Sequence, residues 1–479
     1  MPTPDADYNL PGVSVSIADF GLRISPPVPG KKLTLVGATT GTLGGEAQLN
    51  EPYAVRSVGL AVNGLKNTDG THSELSLAVE QAAAAGARNI EVVISAFTSE
   101  YANANARWDS LAATYRQLKS HPVDVIHPVD TWVDDVTGLS GTDTYGDARN
   151  NFGKQLANFC YRAGKEGNSA QGVIGLKPLL RTAYDEDWSV KPTSEAEINY
   201  ATPTLAQVNE WIDHVQGLNG TLENHTAETA LDSYLEGSIE ESPGVISSDY
   251  DWWAKEEDGT TAVDHLGNNV DGGRAICVFG SASRQASDSI PNLAAQAGYP
   301  GTRSINTNGA VAYSALLSTL SPIESPTGKT IPSLTPARQV PESFGRDMMN
   351  SRVVTMVNRT TGYVVTKGIS SAHNASAYTR SDFVQWTTFS IVLAAIDLAK
   401  IAVEPFIGKQ SSPAVMNAMK VALDESLKVL KDLQAVSRIQ ANIIQTSDQA
   451  ILGDMDIDLD IDVFGEISNI NFRAALSRS

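Results

Sequence analysis

The residues able to do chemistry are few, and their spacing decides what they can do. Ser325-Pro-Thr-Gly-Lys-Thr330 ends in the Gly-Lys-Thr of a phosphate-binding loop. In such a loop backbone N–H groups cradle the phosphates and the lysine reaches the terminal ones. The full pattern places a glycine where Ile323 stands, and Pro322 and Pro326 remove donors that the cradle needs. The segment reads as a structural loop. Gly37-Ala-Thr-Thr-Gly41-Thr-Leu-Gly44-Gly45 follows an apolar run, as dinucleotide loops do. Its spacing is not GxGxxG, and no helix pattern follows to aim a dipole at a pyrophosphate. It reads as a flexible loop.

Gly280-Ser-Ala-Ser-Arg284 approaches the GxSxG of hydrolases but has Ala282 in the nucleophile's place, so it reads as a loop after a strand. The histidines (His72, His121, His127, His214, His225, His265, His373) form no pair at ligand spacing. A zinc site needs three or four ligands, and none is expected here.

The sharpest local pattern is Asp454-Met-Asp-Ile-Asp-Leu-Asp-Ile-Asp-Val463. A calcium loop needs a glycine where Leu459 or Ile461 stands. In a strand, alternate residues share a face. Asp454, Asp456, Asp458, Asp460 and Asp462 then point one way, while Met455, Ile457, Leu459, Ile461 and Val463 face a core. That acidic face meets either solvent or a basic partner. Five like charges repel along a strand, and a face exposed only to solvent would usually mix signs.

With 479 residues, 42% hydrophobic and 19% charged, the chain has the composition of an ordinary globular protein of several domains. Its net charge of -20 is opposite to that of a general nucleic-acid binder. Cys160 and Cys277 stand in apolar runs and give no disulfide framework, so buried, reduced thiols are expected. The first residues lack the basic and apolar regions of a signal peptide, so folding in a cytoplasm is expected.

The elements that must position these residues alternate in type. Residues 31–36 read as a strand closed by Gly37, and 38–72 as loops with one short element. Ser73 caps a helix over 74–85 that Gly86 stops. Strands at 89–94, 123–126 and 172–176 alternate with helices at 108–120 and 147–162. This rhythm predicts a mainly parallel, helix-covered sheet. It lapses over 183–270, an acidic stretch read as an inserted lobe, and resumes with a strand at 274–279. A helix is expected over 309–320, an irregular segment over 321–332, and two strands near enough to pair at 352–357 and 362–367.

An apolar helix over 382–401 then leads to the turn Val403-Glu-Pro-Phe-Ile-Gly408. Gln385, Asp397 and Lys400 in and around that helix would be costly in lipid and favour a buried core helix over a membrane span. A second helix is expected from Pro413 to about Ile444. Met419, Leu423, Leu427 and Leu430 form its core stripe, and Lys420, Lys428 and Lys431 lie off it.

Taken in order, these parts resemble the tail sheath proteins of contractile phage tails and related injection machines. Pro11-Gly-Val-Ser-Val-Ser-Ile17 is similar to the family's opening strand, Lys32-Leu-Thr-Leu-Val-Gly37 to its first core strand, and Asn50-Glu-Pro52 to its Asn-Glu-Pro. Val123-Asp-Val-Ile-His-Pro128 resembles a strand ending in a proline turn, and Gly362-Tyr-Val-Val-Thr-Lys-Gly368 the strand before a long helix. Val403-Glu-Pro-Phe406 resembles the Phe-Glu-Pro turn, with Val403 departing from the phenylalanine. Residues 454–463 and 466–472 resemble the last two strands, and 183–270 has no counterpart.

The resemblance implies an α/β and α+β multidomain fold. An N-terminal arm and strand (1–25) would precede an α/β domain (26–345) that carries the acidic lobe. A C-terminal α+β domain (346–463) and an arm strand (464–479) would follow. It implies stacked six-fold rings of this chain around a tail tube protein, with baseplate and terminator proteins as further partners. Val13, Val15 and Ile17, with Ile467, Ile470 and Phe472, would lie in intersubunit strands. The lysines at 420, 428 and 431 and the five aspartates are a candidate charged surface, toward a neighbour or the tube. No catalytic residue, cofactor, metal, nucleic acid or membrane insertion is expected, and the expected place is a phage tail assembled in the host cytoplasm. Two rivals stand beside this: an α/β-fold enzyme of unknown substrate, which needs a convergent titratable cluster, and a different filament-forming or surface-layer protein, the latter needing an export signal.

Overall fold

A computed structural model describes residues 31–176 apart from 42, 44–47, 69, 71, 97–102, 134–137, 144–147, 150 and 169. It also describes residues 275–279, 282–285, 304–307, 309–331, 353–359, 362–370, 384–446, 449 and 455–465. The expected arm strands with Val13, Val15, Ile17, Ile467, Ile470 and Phe472, the lobe over 183–270, and Asp454 lie outside the described residues.

The first half contains β1 (Leu33–Ala38), β2 (Pro52–Ala54), α1 (Val58–Gly64), α2 (Glu74–Ala84), β3 (Ile90–Ala96) and α3 (Ala104–Leu118). Next come β4 (Val125–Pro128), α4 (Phe152–Lys165), β5 (Gln171–Leu176), β6 (Ala275–Phe279), β7 (Ala282–Gln285) and β8 (Ser304–Thr307). They are followed by α5 (Gly309–Thr319), β9 (Val353–Val354), β10 (Met356–Arg359) and β11 (Gly362–Val365). The last group is α6 (Trp386–Val403), α7 (Pro413–Asp432), β12 (Val436–Ile444) and β13 (Asp456–Val463).

Seven strands form one sheet in the order β2-β3-β1-β4-β5-β6-β9. Every pair is parallel except β2 with β3. A parallel sheet has both faces buried, which is why β1 and β3 are apolar without alternation. Leu33, Leu35, Val125 and Val173 share a core with α2 and α5. The other face carries α3 and α4, where Trp108, Leu111, Phe152 and Leu156 are buried. Side chains of Ser73, Asn103 and Asn151 cap α2, α3 and α4 by accepting a backbone N–H. Val354, Met356, Val365, Ile369 and Trp386 pack into the same core as the sheet.

Gly172 lets α4 approach β5. A Cβ there would lie 2.5 Å from Leu156 Cγ. Gly172→Ala should therefore lower stability by about 1–3 kcal/mol, read as a lower urea midpoint. Combined with Leu156→Ala it should cost less than the two single changes summed.

Four expectations are corrected. The helix expected from Pro413 to about Ile444 ends at Asp432, and Val436–Ile444 is β12. Gln434 turns the chain with φ 57°, after which the backbone is extended. Residues 38–72 hold two elements, β2 and α1. The strand expected over 352–357 is split at Thr355, with β9 joining the large sheet and β10 pairing with β11. The loop expected over 280–284 is mostly strand, since β7 pairs with β8.

Candidate functional site: the C-terminal helix pair and its hairpin

The nucleotide-like motifs are used up by packing. Thr39 Oγ1 donates to the Leu65 carbonyl at 2.7 Å, and Ser73 Oγ donates to the same oxygen at 2.6 Å. A Cβ on Gly41 would lie 2.4 Å from the Lys66 carbonyl oxygen, so this glycine permits backbone against backbone. The described part of that loop is thus bonded in place, not free. In the Gly-Lys-Thr segment, Gly328 N–H donates to the Val365 carbonyl at 2.8 Å and Lys329 N–H to that of Pro326 at 3.1 Å. Those amides face the chain itself.

Among the described residues, the most convergent titratable group is at Glu91, which is buried. Its carboxylate accepts from Lys32 Nζ and Thr34 Oγ1, each at 3.3 Å, and lies 3.0 Å from His121 Nε2. Lys32 Nζ also donates to the Pro122 carbonyl at 3.1 Å. The cluster ties the starts of β1, β3 and β4 together. Open α/β sheets bind ligands beyond the opposite, C-terminal ends. His127 is fully buried and its Nδ1 lies 2.8 Å from the Val173 carbonyl oxygen. Burial holds its pKa down at about 4. Cys160 is buried and in no disulfide among the described residues, and Cys277 stands in β6.

The C-terminal module is built from α6, a 3₁₀ turn over Glu404–Phe406, α7 and the β12–β13 hairpin. Helix α6 is long and apolar enough to cross a membrane, but Ile391, Ala394, Ala395 and Ala399 pack into a core with α7. Ser412 caps α7 by accepting from Val415 N–H at 3.4 Å, and Pro413 opens it where no N–H is needed. Met419, Leu423, Leu427 and Leu430 are its buried residues, as their spacing predicts.

The hairpin lies against this helix pair. Antiparallel pairing sets Ile439 opposite Ile461, Ala441 opposite Leu459 and Ile443 opposite Ile457. These side chains face the helices. The outer face pairs Arg438 with Asp462, Gln440 with Asp460, Asn442 with Asp458 and Ile444 with Asp456. All four aspartates are exposed. Arg438 Nε donates to Asp462 at 2.9 Å and its Nη2 reaches Asp460 at 2.8 Å. The Asp462 bond first, then the Asp460 charge, raises the Arg438 pKa further. Asp456 accepts from Gln449 Nε2 at 2.6 Å. Lys420, Lys428 and Lys431 are exposed on α7 and form no ion pair among the described residues. The structure thus separates the expected charged surface into two: the lysines stand on the helix side and the aspartates on the hairpin's outer side.

Among the described residues, β12 and β13 pair only with each other, which leaves one open edge on each. Open edges present unpaired N–H and C=O groups and accept further strands. The module is tied to the sheet by two lysines. Lys400 Nζ donates to the Gly167 carbonyl at 2.7 Å. Lys31 Nζ donates to Ser390 Oγ at 3.1 Å and sits 4.8 Å from the Trp386 ring centre. Burial lowers the Lys31 pKa to about 8, against the pull of Asp124 and Asp397.

No family model matches this chain, and no curated protein sequence does. Solved structures do match in fold. A chain in the cryo-EM structure of the anti-feeding prophage baseplate, six-fold symmetrised, gives a TM-score of 0.54 at 9% identity, covering 98% of this chain and 100% of that one. A chain of the contracted sheath complex of the extracellular contractile injection system PVC gives 0.53 at 10%, covering 98% of each. A chain of the contracted helical sheath of the anti-feeding prophage gives 0.53 at 10%, covering 98% of this chain and 99% of that one.

Proposed function

We propose that this chain, which has the fold of contractile tail sheath proteins, is a structural subunit of a contractile sheath. The observation that carries this is the extent of the likeness, which spans 98% of the chain and nearly all of sheath chains seen in contracted assemblies. Copies assemble as stacked six-fold rings around a tail tube, with baseplate and tail terminator proteins at the ends. Contraction drives the tube through a host envelope. The particle is a phage tail or a tail-like body, built in the host cytoplasm.

Two features support the reading. The hairpin's open edges suit strands from the arms of other copies, through Val13, Val15 and Ile17 at one end and Ile467, Ile470 and Phe472 at the other. The residues whose types could do chemistry are engaged in holding strand starts and loops together. Strand links of this kind hold while rigid bodies rotate, and contraction needs only two packings of different free energy with the first kinetically trapped. The α/β domain (26–345) projects, the C-terminal domain (346–463) forms the base, and 1–25 and 464–479 are the linking arms.

Electron microscopy of the purified chain tests this, with and without residues 464–479. Full-length protein is expected as helical tubes or rings, and the truncated chain as monomers at the same concentration. Tubes unaffected by the truncation would overturn the arm exchange. Full-length chains that stay monomeric at high concentration would overturn the sheath reading.

A further inference from the structure

Helix α7 and the hairpin turn their apolar side chains to one core, so their polar sides face away from each other. At about 100° per residue, Lys420, Lys431 and Lys428 fall within about 80° of one another on the exposed arc of α7. Asp424 lies among them, and Glu425 and Asp432 lie on the far side of Val421. One exposed apolar side chain borders this arc, Val421 at 64%, while Val429 lies beyond Glu425 and Asp432.

The hairpin's outer face is divided. Arg438 neutralises the end with Asp460 and Asp462. Asp456 and Asp458 have no cationic partner among the described residues. Directly opposite Asp456 is Ile444, 44% exposed. One end of the hairpin therefore offers two carboxylates beside an aliphatic side chain. The helix offers three ammonium groups beside one valine, Val421. An apolar centre flanked by opposite charges is the chemistry of a specific protein contact.

Resting on the sheath reading, we propose that the exposed face of α7 in one copy docks on the Ile444, Asp456 and Asp458 end of the hairpin in the next copy. Each copy presents both halves on opposite sides of one module. The contact is heterologous, so it propagates through an assembly and does not stop at a dimer. Arg438 sets the position by withdrawing Asp460 and Asp462 from competition for the lysines. Charges separated by more than about 8–10 Å are screened at 0.1–0.15 M salt, so the ionic part acts at close range and weakens as salt rises.

The test uses two full-length variants, Lys420→Glu with Lys428→Glu and Lys431→Glu, and Asp456→Lys with Asp458→Lys. All five positions are exposed, and the thermal unfolding of each variant is expected to match that of the unaltered chain. Each variant alone is expected to give at least about tenfold less sedimentable polymer, since both halves then carry one sign. Mixed in equal amounts, the two should recover polymer, because the acidic helix of one meets the basic hairpin of the other. Either variant polymerising alone at the unaltered yield, or a mixture no better than its parts, overturns the proposal. A lysine variant that forms sheath normally but no longer holds a purified tube assigns the lysines to the tube and overturns it as well. Absence of polymer from the unaltered chain is a different result, and it is the sheath reading that then fails.

Discussion

Trp386→Ala is expected to lower the stability of the chain by about 3–5 kcal/mol and to separate the unfolding of its two halves. Trp386 is the first residue of α6 and is fully buried in the core of the large sheet. Its backbone N–H donates to the Gly368 carbonyl at 3.2 Å, and its ring lies beneath Lys31 Nζ. One to a little over two turns further on, the same helix contributes Ile391 and Ala394 to the core shared with α7 and the hairpin. One rigid element thus begins in one core and continues in the other. Removing the ring opens a cavity at the start of α6 and takes away the face on which the Lys31 ammonium rests. The hydrogen bonds from Lys400 to Gly167 and from Lys31 to Ser390 then remain as described ties, and each is exchangeable.

Urea unfolding followed by far-ultraviolet circular dichroism checks this. One transition is expected to become two, and Trp386→Phe should keep most of the coupling by keeping a ring. A loss below about 1 kcal/mol with the cooperativity unchanged would show that the two cores do not depend on this side chain.

The sequence makes the sheet legible because burial on both faces leaves runs such as Leu33-Thr-Leu-Val36 and Val92-Val-Ile94, which few other elements use. Helix stripes are equally plain, and Met419, Leu423, Leu427 and Leu430 are the buried face of α7. The end of α7 was hidden for a definite reason. A helix stop usually carries glycine at the left-handed position, but here Gln434 adopts φ 57°. Without that punctuation Leu433, Val436 and Ile439 follow Leu430 at three-residue steps that a helix also uses. The signal that could have found β12 is the alternation of Ile439, Ala441 and Ile443 with Gln440 and Asn442, the same period two that marks β13. Missing β12 also hid the partner of the acidic strand. Arg438 neutralises part of that strand only because antiparallel register sets it beside Asp462. That register follows from which faces meet the helices and is not written in either strand alone.

Acid is expected to weaken the fold through His127. The imidazole is fully buried in β4 and its N–H donates to the Val173 carbonyl, so the neutral ring is the form that fits. Its pKa falls from 6.5 to about 4 because burial penalises the charged ring, an effect larger than the stabilising pull of the Val173 carbonyl. Helix α5, which packs over β4, has no charged residue to offset that penalty. Below pH 6.5 the unfolded chain takes up a proton that the folded chain does not, so stability falls as pH falls. The contribution is complete above 6.5 and is lost progressively down to about 4. At 1.36 kcal/mol per pKa unit it amounts to about 3 kcal/mol. His127→Gln keeps an N–H donor for Val173 and removes the titration. Urea midpoints of the two chains, measured from pH 7.5 down to about 4, should therefore converge or cross as the pH falls. Parallel curves across that window would show that His127 takes up a proton as readily in the folded chain as in water, and that its burial carries no penalty.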